Sequence, residues 1–427
     1  MFWGCHAAIR GCRQTPIVGA EATDTRAPAE ADTSTRWLVL LGVWLIYFAF
    51  GICVASMAPL VGPIARELGV GNGVMGAILG AWPLLYVASA IPGGILLDRF
   101  GARRMLFCAA LIMAASLGAR SLAETPVQMF LAVALFGIGG PLISVGAPKT
   151  ITGLFSGKAR ASAMGIYVTG PYLGGILAMA LTNSVAMPLV DNAWRSVLQL
   201  YGAFMVTCGA IWLVISHRAA RRGLLAKPGE GKKFDLAAFA GILHLPDVRL
   251  ILVMSIGIFF INHALNNWLP EILQGRGFSP VEAGFWAAIP SSVGILGVLI
   301  IPRLATPQRR LRILGVLFLA ALGASLLLHA TAPGFLLTGL VLQGIARGSM
   351  MTVAVLLLME TPHVPPERLG LAGGLFFTTA EIGGMLGPLS FGLLSEVSGG
   401  FAVPLSSLSV VCVVLLICLG RLRSLQR

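Results

Sequence analysis

Apolar residues in this chain neither alternate nor keep to one helical face. They run on in unbroken blocks separated by short polar turns. Twelve such blocks can be read, at about 37–61, 74–97, 104–123, 127–154, 161–188, 196–216, 248–270, 283–302, 311–330, 334–359, 368–395 and 401–420. Each approaches or exceeds the roughly 20 residues a helix needs to cross the hydrocarbon of a bilayer. The pattern predicts an all-α membrane protein with twelve transmembrane helices. Glycine and proline inside the blocks fit that reading, because neighbouring helices re-satisfy the freed backbone groups.

Composition agrees. Of 427 residues, 57% are hydrophobic and 11% charged, against roughly 25% charged in soluble domains. Mean hydropathy is +0.88. The net charge of +13 raises nucleic acid as a partner, but no basic helix with interleaved aromatics is present. The Lys and Arg positions explain the charge better. With the N-terminus inside, 25 of the 30 fall on the cytoplasmic side, four outside, and Arg347 alone in mid-membrane. The asymmetry predicts cytoplasmic N- and C-termini in a cell (inner) membrane. Seven cysteines lack metal-like spacing and six histidines include no i, i+4 pair, so no metal site or disulfide framework is expected. There is no phosphate-binding loop, no catalytic constellation and no cofactor motif. The reading is therefore not an enzyme, and any pumping must draw on a gradient or a counter-substrate.

Residues 1–36 mix Ala, Thr, Asp, Glu and Arg without apolar period. They read as a disordered cytoplasmic tail or an over-called start, with no leader-like apolar region. Residues 37–216 hold the first six helices. Residues 217–247, including "HRAARRGLLAKPGEGKK", form a cytoplasmic linker, and 248–427 hold the second six with a short tail. The halves repeat: "GIYVTGPYLGG" (165–175) aligns with "GLFFTTAEIGG" (374–384) at one constant offset. Two pseudo-symmetric six-helix bundles are a signature of secondary transporters.

"GGILLDRFGARR" (93–104) places Asp98 and three arginines in the turn between helices 2 and 3. Gly101 suits a tight turn at positive φ, and Gly94 suits a close helix approach. Asp98 is expected to face a helix N-terminus or an arginine. The segment resembles the helix 2–3 signature of the major facilitator superfamily through Gly94, Leu96, Asp98, Arg99, Gly101 and Arg103, with Ala102 departing from the usual basic residue. The resemblance covers the twelve-helix chain and implies the major facilitator fold and alternating access. It also implies that Gly94, Asp98, Arg99, Gly101 and Arg103 form a conformational latch. The expected partners of Asp98 are Arg99, Arg103 or the start of helix 11 near Glu367–Arg368. A plain positive-inside turn explains the arginines but not Asp98 with its glycines.

Arg347 and Glu381 each lie about 13 residues, or about 20 Å, into their helices. Charges there face a cavity or a partner. Arg347 is a candidate to bind an anionic substrate and Glu381 to carry a coupling proton; the alternative is a mutual ion pair. Helix 7 carries "FFINHALNNWLP", with Asn262 and Asn266 on one face and His263 and Asn267 on the next. These form a polar patch in which His263 is either titratable or a hydrogen-bonded wall residue. Trp44 and Tyr47 either line the cavity or pack. Lys149 either attracts anions or snorkels to the surface.

"NNWLPEILQGRGFSPVEAG" and "RASAMGIYVTGPYLGG" resemble the cyanate permease-like, small-anion carriers. "GPYLGG" also resembles the helix 5 motif of drug–proton antiporters. Ile166 stands where that motif has glycine, and Val133 stands where those proteins carry a helix 4 arginine. The reading is a monomeric secondary transporter for a small organic or inorganic anion, with Arg347, Asn262, His263, Asn266, Trp44 and Tyr47 at the substrate. The alternatives are a proton-coupled multidrug or metabolite efflux antiporter and a carrier-fold receptor or scaffold. The expected partners are a small molecule, a coupling proton and membrane lipid.

Overall fold

A computed structural model describes residues 27–225, 241–330, 332–361, 364–365 and 369–425. Among these, regular structure is helical throughout. The long helices are α1 (Ala27–Ala55), α2 (Asn72–Phe100), α3 (Ala102–Ser121), α4 (Pro126–Leu154), α5 (Gly157–Leu181), α6 (Trp194–Arg221), α7 (Pro246–Gln274), α8 (Pro280–Leu304), α9 (Arg310–Leu327), α10 (Pro333–Met359), α11 (Leu369–Ser398) and α12 (Ala402–Leu425). Eleven described helices are long and apolar enough to cross a membrane, and α11 is the twelfth long helix.

Local sequence explains several boundaries. Thr125 and Gln128 form a capping box that starts α4, and Ser279 and Glu282 form another that starts α8. Within α2 the helix is interrupted at Gly80, because Pro83 cannot donate to the carbonyl one turn earlier. The α1 helix begins at Ala27, inside the segment expected to be a tail. Extending a helix anchored at Trp37 is far easier than nucleating one, so 27–36 continues it. Residues 1–26, and 226–240 of the expected linker, lie outside the described residues.

The repeated segments occupy equivalent places. Gly174 brings α5 so close to α1 that a Cβ there would strike the Phe48 carbonyl; Gly383 does the same for α11 against the Ile256 carbonyl of α7. The two halves meet along α2 with α11 and α5 with α8.

The contacts between α2 and α11 are one-sided. At one end of the bundle, a Cβ on Gly76 would lie 2.5 Å from the Pro388 carbonyl, and one on Gly392 would strike Asn72. Three hydrogen bonds join the halves there. Asn72 Nδ2 donates to Ser395 Oγ (3.1 Å), Gly73 N–H to Glu396 Oε2 (2.5 Å) and Asn183 Nδ2 to the Pro280 carbonyl (3.2 Å). At the other end, Gly94 of α2 and Gly370 and Gly374 of α11 have nothing within 4 Å of a built Cβ. The close approach expected at Gly94 is therefore absent in this conformation, in which open space surrounds it. Along the α2–α11 seam the bundle is closed at the Asn72–Glu396 end and open at the 93–104 end.

Candidate functional site

The turn that opens the molecule has a definite geometry. Gly101 sits at φ 80°, ψ 154°, a conformation that costs a residue with a Cβ. Asp98, in the last turn of α2, reaches α4 rather than its own turn: Lys149 Nζ donates to Asp98 Oδ1 at 2.5 Å. Neither Arg99 nor Arg103 is its partner, contrary to expectation. Arg99 lies over the Phe100 ring at 5.4 Å, and Arg103 Nη2 pairs with His217 Nδ1 of α6 at 2.8 Å. The Asp98 side chain projects across the helix pair instead of back along the turn. Lys149, expected to attract anions or snorkel, is thereby engaged. Glu367 and Arg368 lie outside the described residues.

Deeper in, Arg347 and Glu381 are not bonded to each other, so the mutual ion pair is not formed. Arg347 Nη2 donates to Asn266 Oδ1 of α7 at 2.8 Å, and Nη1 to Ser291 Oγ of α8 at 3.2 Å. Both acceptors are neutral, so the guanidinium keeps its full charge. It lines a small cavity with Asn266, Gln343, Pro290 and Met179. Gln343 is 2% exposed, and neither its Oε1 nor its Nε2 has a hydrogen-bond partner. A buried amide with both ends unsatisfied is costly in an apolar interior. The cavity thus offers a charged donor and an amide donor and acceptor, one helical turn apart on α10.

Glu381 meets α7 at His263, three residues before Asn266. Its Oε2 is 3.8 Å from His263 Nε2 and makes no hydrogen bond. The His263 ring is sandwiched between Phe259 of its own helix (5.5 Å) and Trp82 of α2 (5.3 Å). His263 therefore joins a buried carboxylate in one half to an aromatic wall in the other. Asn262 Oδ1 is buried without a partner, and Asn267 Nδ2 donates to the His263 carbonyl at 2.8 Å. Trp44 and Tyr47 belong to a different cluster. Trp44 Nε1 donates to Thr169 Oγ1 of α5 at 3.0 Å, and Tyr47 packs on Phe50 and Tyr167.

Sequence reading missed Gln343 and Ser291. Gln343 was legible as a polar residue one turn before Arg347 in an apolar run, whereas nothing local distinguishes Ser291 from other membrane serines.

Comparison with known proteins places this architecture. The family model described as Major Facilitator Superfamily matches residues 43–388. A quinolone resistance transporter of Acinetobacter baumannii is 28% identical over 374 residues, covering 82% of this chain and 84% of that protein. A probable galactarate/D-glucarate transporter of Bacillus subtilis is 22% identical over 416 residues, covering 88% and 89%. Among solved structures, the nucleoside transporter NupG superposes with a TM-score of 0.73 at 15% identity, covering 91% of this chain and 99% of that one. A bacterial homolog of the human lysosomal transporter Spinster gives 0.64 at 19% identity, covering 91% and 95%.

Proposed function

The chain belongs to the major facilitator superfamily, and from that premise we propose that it is a secondary transporter for a small organic anion, held by Arg347. A multi-pass transporter of a small molecule, rather than an enzyme, is what the family establishes. The anionic substrate, the coupling and the orientation are our reading. The observation that carries it is the half-buried Arg347, bonded among the described residues to the neutral acceptors Asn266 and Ser291, beside a Gln343 amide with no partner of its own. A charge so placed draws a counter-ion. A guanidinium suits a carboxylate because its fork matches two oxygens, and Gln343 and Asn266 suit the hydroxyls of a sugar acid. The galactarate/D-glucarate transporters among the relatives carry acids of this kind.

Glu381 is the candidate proton carrier. It is buried (5% exposed), its Oε2 is unbonded, and it sits against His263, which touches the opposite half through Trp82. A proton there would be felt at the interface that rearranges between states. The Lys and Arg asymmetry favours an open end that faces the cytoplasm of a cell membrane, which makes this conformation inward-facing.

A second reading is drug–proton antiport, favoured by the quinolone resistance relative. The deciding experiment is transport in proteoliposomes alongside thermal unfolding with hexarates, hexonates, simple carboxylates and lipophilic cations, with Arg347→Ala in parallel. Binding raises apparent stability by mass action. A sugar acid or carboxylate that stabilises wild type but not Arg347→Ala supports the anion reading. Lipophilic cations that stabilise both proteins equally, with no response to acids, would replace it with antiport.

A further inference from the structure

Arg120 takes no part in the site above. It occupies the last turn of α3. Yet it is 2% exposed. Its Nε is buried without a partner, and among the described residues no carboxylate or hydrogen-bond acceptor meets its guanidinium. Its one specific neighbour is the Phe136 ring, 5.3 Å from Cζ. A guanidinium does not give up its proton, so a full charge lies buried with the Phe136 ring face as its compensation among the described residues. Ring contact recovers a small part of what burying such a charge costs.

The space beside Arg120 is a small cavity lined by Cys53, Trp82, Val133, Phe136 and Asn267. The Trp82 indole N–H has no hydrogen-bond partner among the described residues. Asn267 comes from the opposite half, and its neighbour Asn266 lines the Arg347 cavity. α7 therefore borders two cavities, each lined by one arginine without an acidic partner among the described residues. The Arg120 cavity is bounded by the last turn of α3, near the closed end of the bundle.

We infer that the Arg120 cavity is a second anion site, taking one small monovalent anion between the guanidinium and the Trp82 indole, with Asn267 closing it from the other half. The anion is either a free halide or a carboxylate group. Because its walls come from both halves, the bound anion stabilises the conformation closed at the Asn72–Glu396 end. The inference does not depend on Arg347 binding the transported substrate.

The test uses the purified full chain in a buffer whose only anion is too large for the cavity. Chloride, bromide and acetate are titrated separately while thermal unfolding is followed in wild type, Arg120→Gln, Arg120→Lys and Arg347→Gln. The expected result is a saturable rise in Tm in wild type and Arg347→Gln that is lost in Arg120→Gln. A response to chloride and bromide marks a halide site; a response to acetate alone marks a carboxylate site. If Arg120→Gln does not fold, bromide-soaked wild-type crystals supply the second measurement, with an anomalous peak expected within about 3.5 Å of the guanidinium. A saturable shift unchanged in Arg120→Gln overturns the site. So does the absence of any saturable shift together with the absence of a bromide peak.

Discussion

Arg347 Nη2 donates to Asn266 Oδ1 at 2.8 Å, while Glu381 of the adjacent helix α11 meets His263 instead. The two mid-membrane charges are thus not paired with each other, and each has its own polar neighbour on α7. That separation suits a carrier in which one charge takes the substrate and the other a proton. A mutual ion pair would neutralise both.

Arg347→Ala is expected to abolish uptake without loss of folded protein. Arg347→Lys should recover little, because an ammonium does not reproduce the guanidinium fork. Asn266→Ala removes an acceptor from a charged donor, worth about 1.5–3 kcal/mol, and should raise KM about tenfold or more. Uptake kinetics in proteoliposomes check all three. Normal uptake by Arg347→Ala would end the anion-site reading.

Glu381→Gln keeps the shape and removes the exchangeable proton. Net uptake driven by a proton gradient should vanish while substrate exchange across the membrane survives. The pH dependence of net uptake should disappear with it. Exchange lost in step with net uptake would instead make Glu381 part of the substrate site.

Gly392→Ala introduces a methyl group against Asn72 of α2. Overpacking of this kind costs about 1–3 kcal/mol, here borne only by the state closed at that end. The population should shift about 5- to 150-fold toward the alternative state. Spin-label distances across the two ends should then shorten at the 93–104 end and lengthen at the Asn72 end. Unchanged distances would mean that the closed end tolerates the methyl group.

Asp98→Asn breaks a pair whose side chains are 42% and 51% exposed. Such pairs contribute about 0–1 kcal/mol, so Tm should move by no more than about 2 °C. A latch role predicts altered turnover despite that small shift. A large fall in Tm with unchanged turnover would make the pair structural.

The helix count, the two-half organisation and the repeat were legible in the sequence because lipid imposes a length and an apolarity on every span. The glycines at 174 and 383, aligned by the repeat, occupy matching close approaches. The depth of Arg347 and Glu381 was legible too, since rise per residue converts position into depth. Depth does not give direction around the helix axis relative to the neighbours. Hence the sequence left the Arg347–Glu381 pairing open and offered Asp98 the nearby arginines or the start of helix 11.

Only the tertiary structure decided those points. Partners such as Lys149 and Asp98, 51 residues apart, or Trp82 and His263, from opposite halves, follow from how helices rotate and cross. Arg120 became conspicuous only when its surroundings were seen to hold no partner for its Nε. Which end of the bundle is closed was likewise beyond the sequence, because one sequence must serve both alternating states. Apolar length is a local property written residue by residue. Pairing and conformational state are relations between distant helices, and packing decides them.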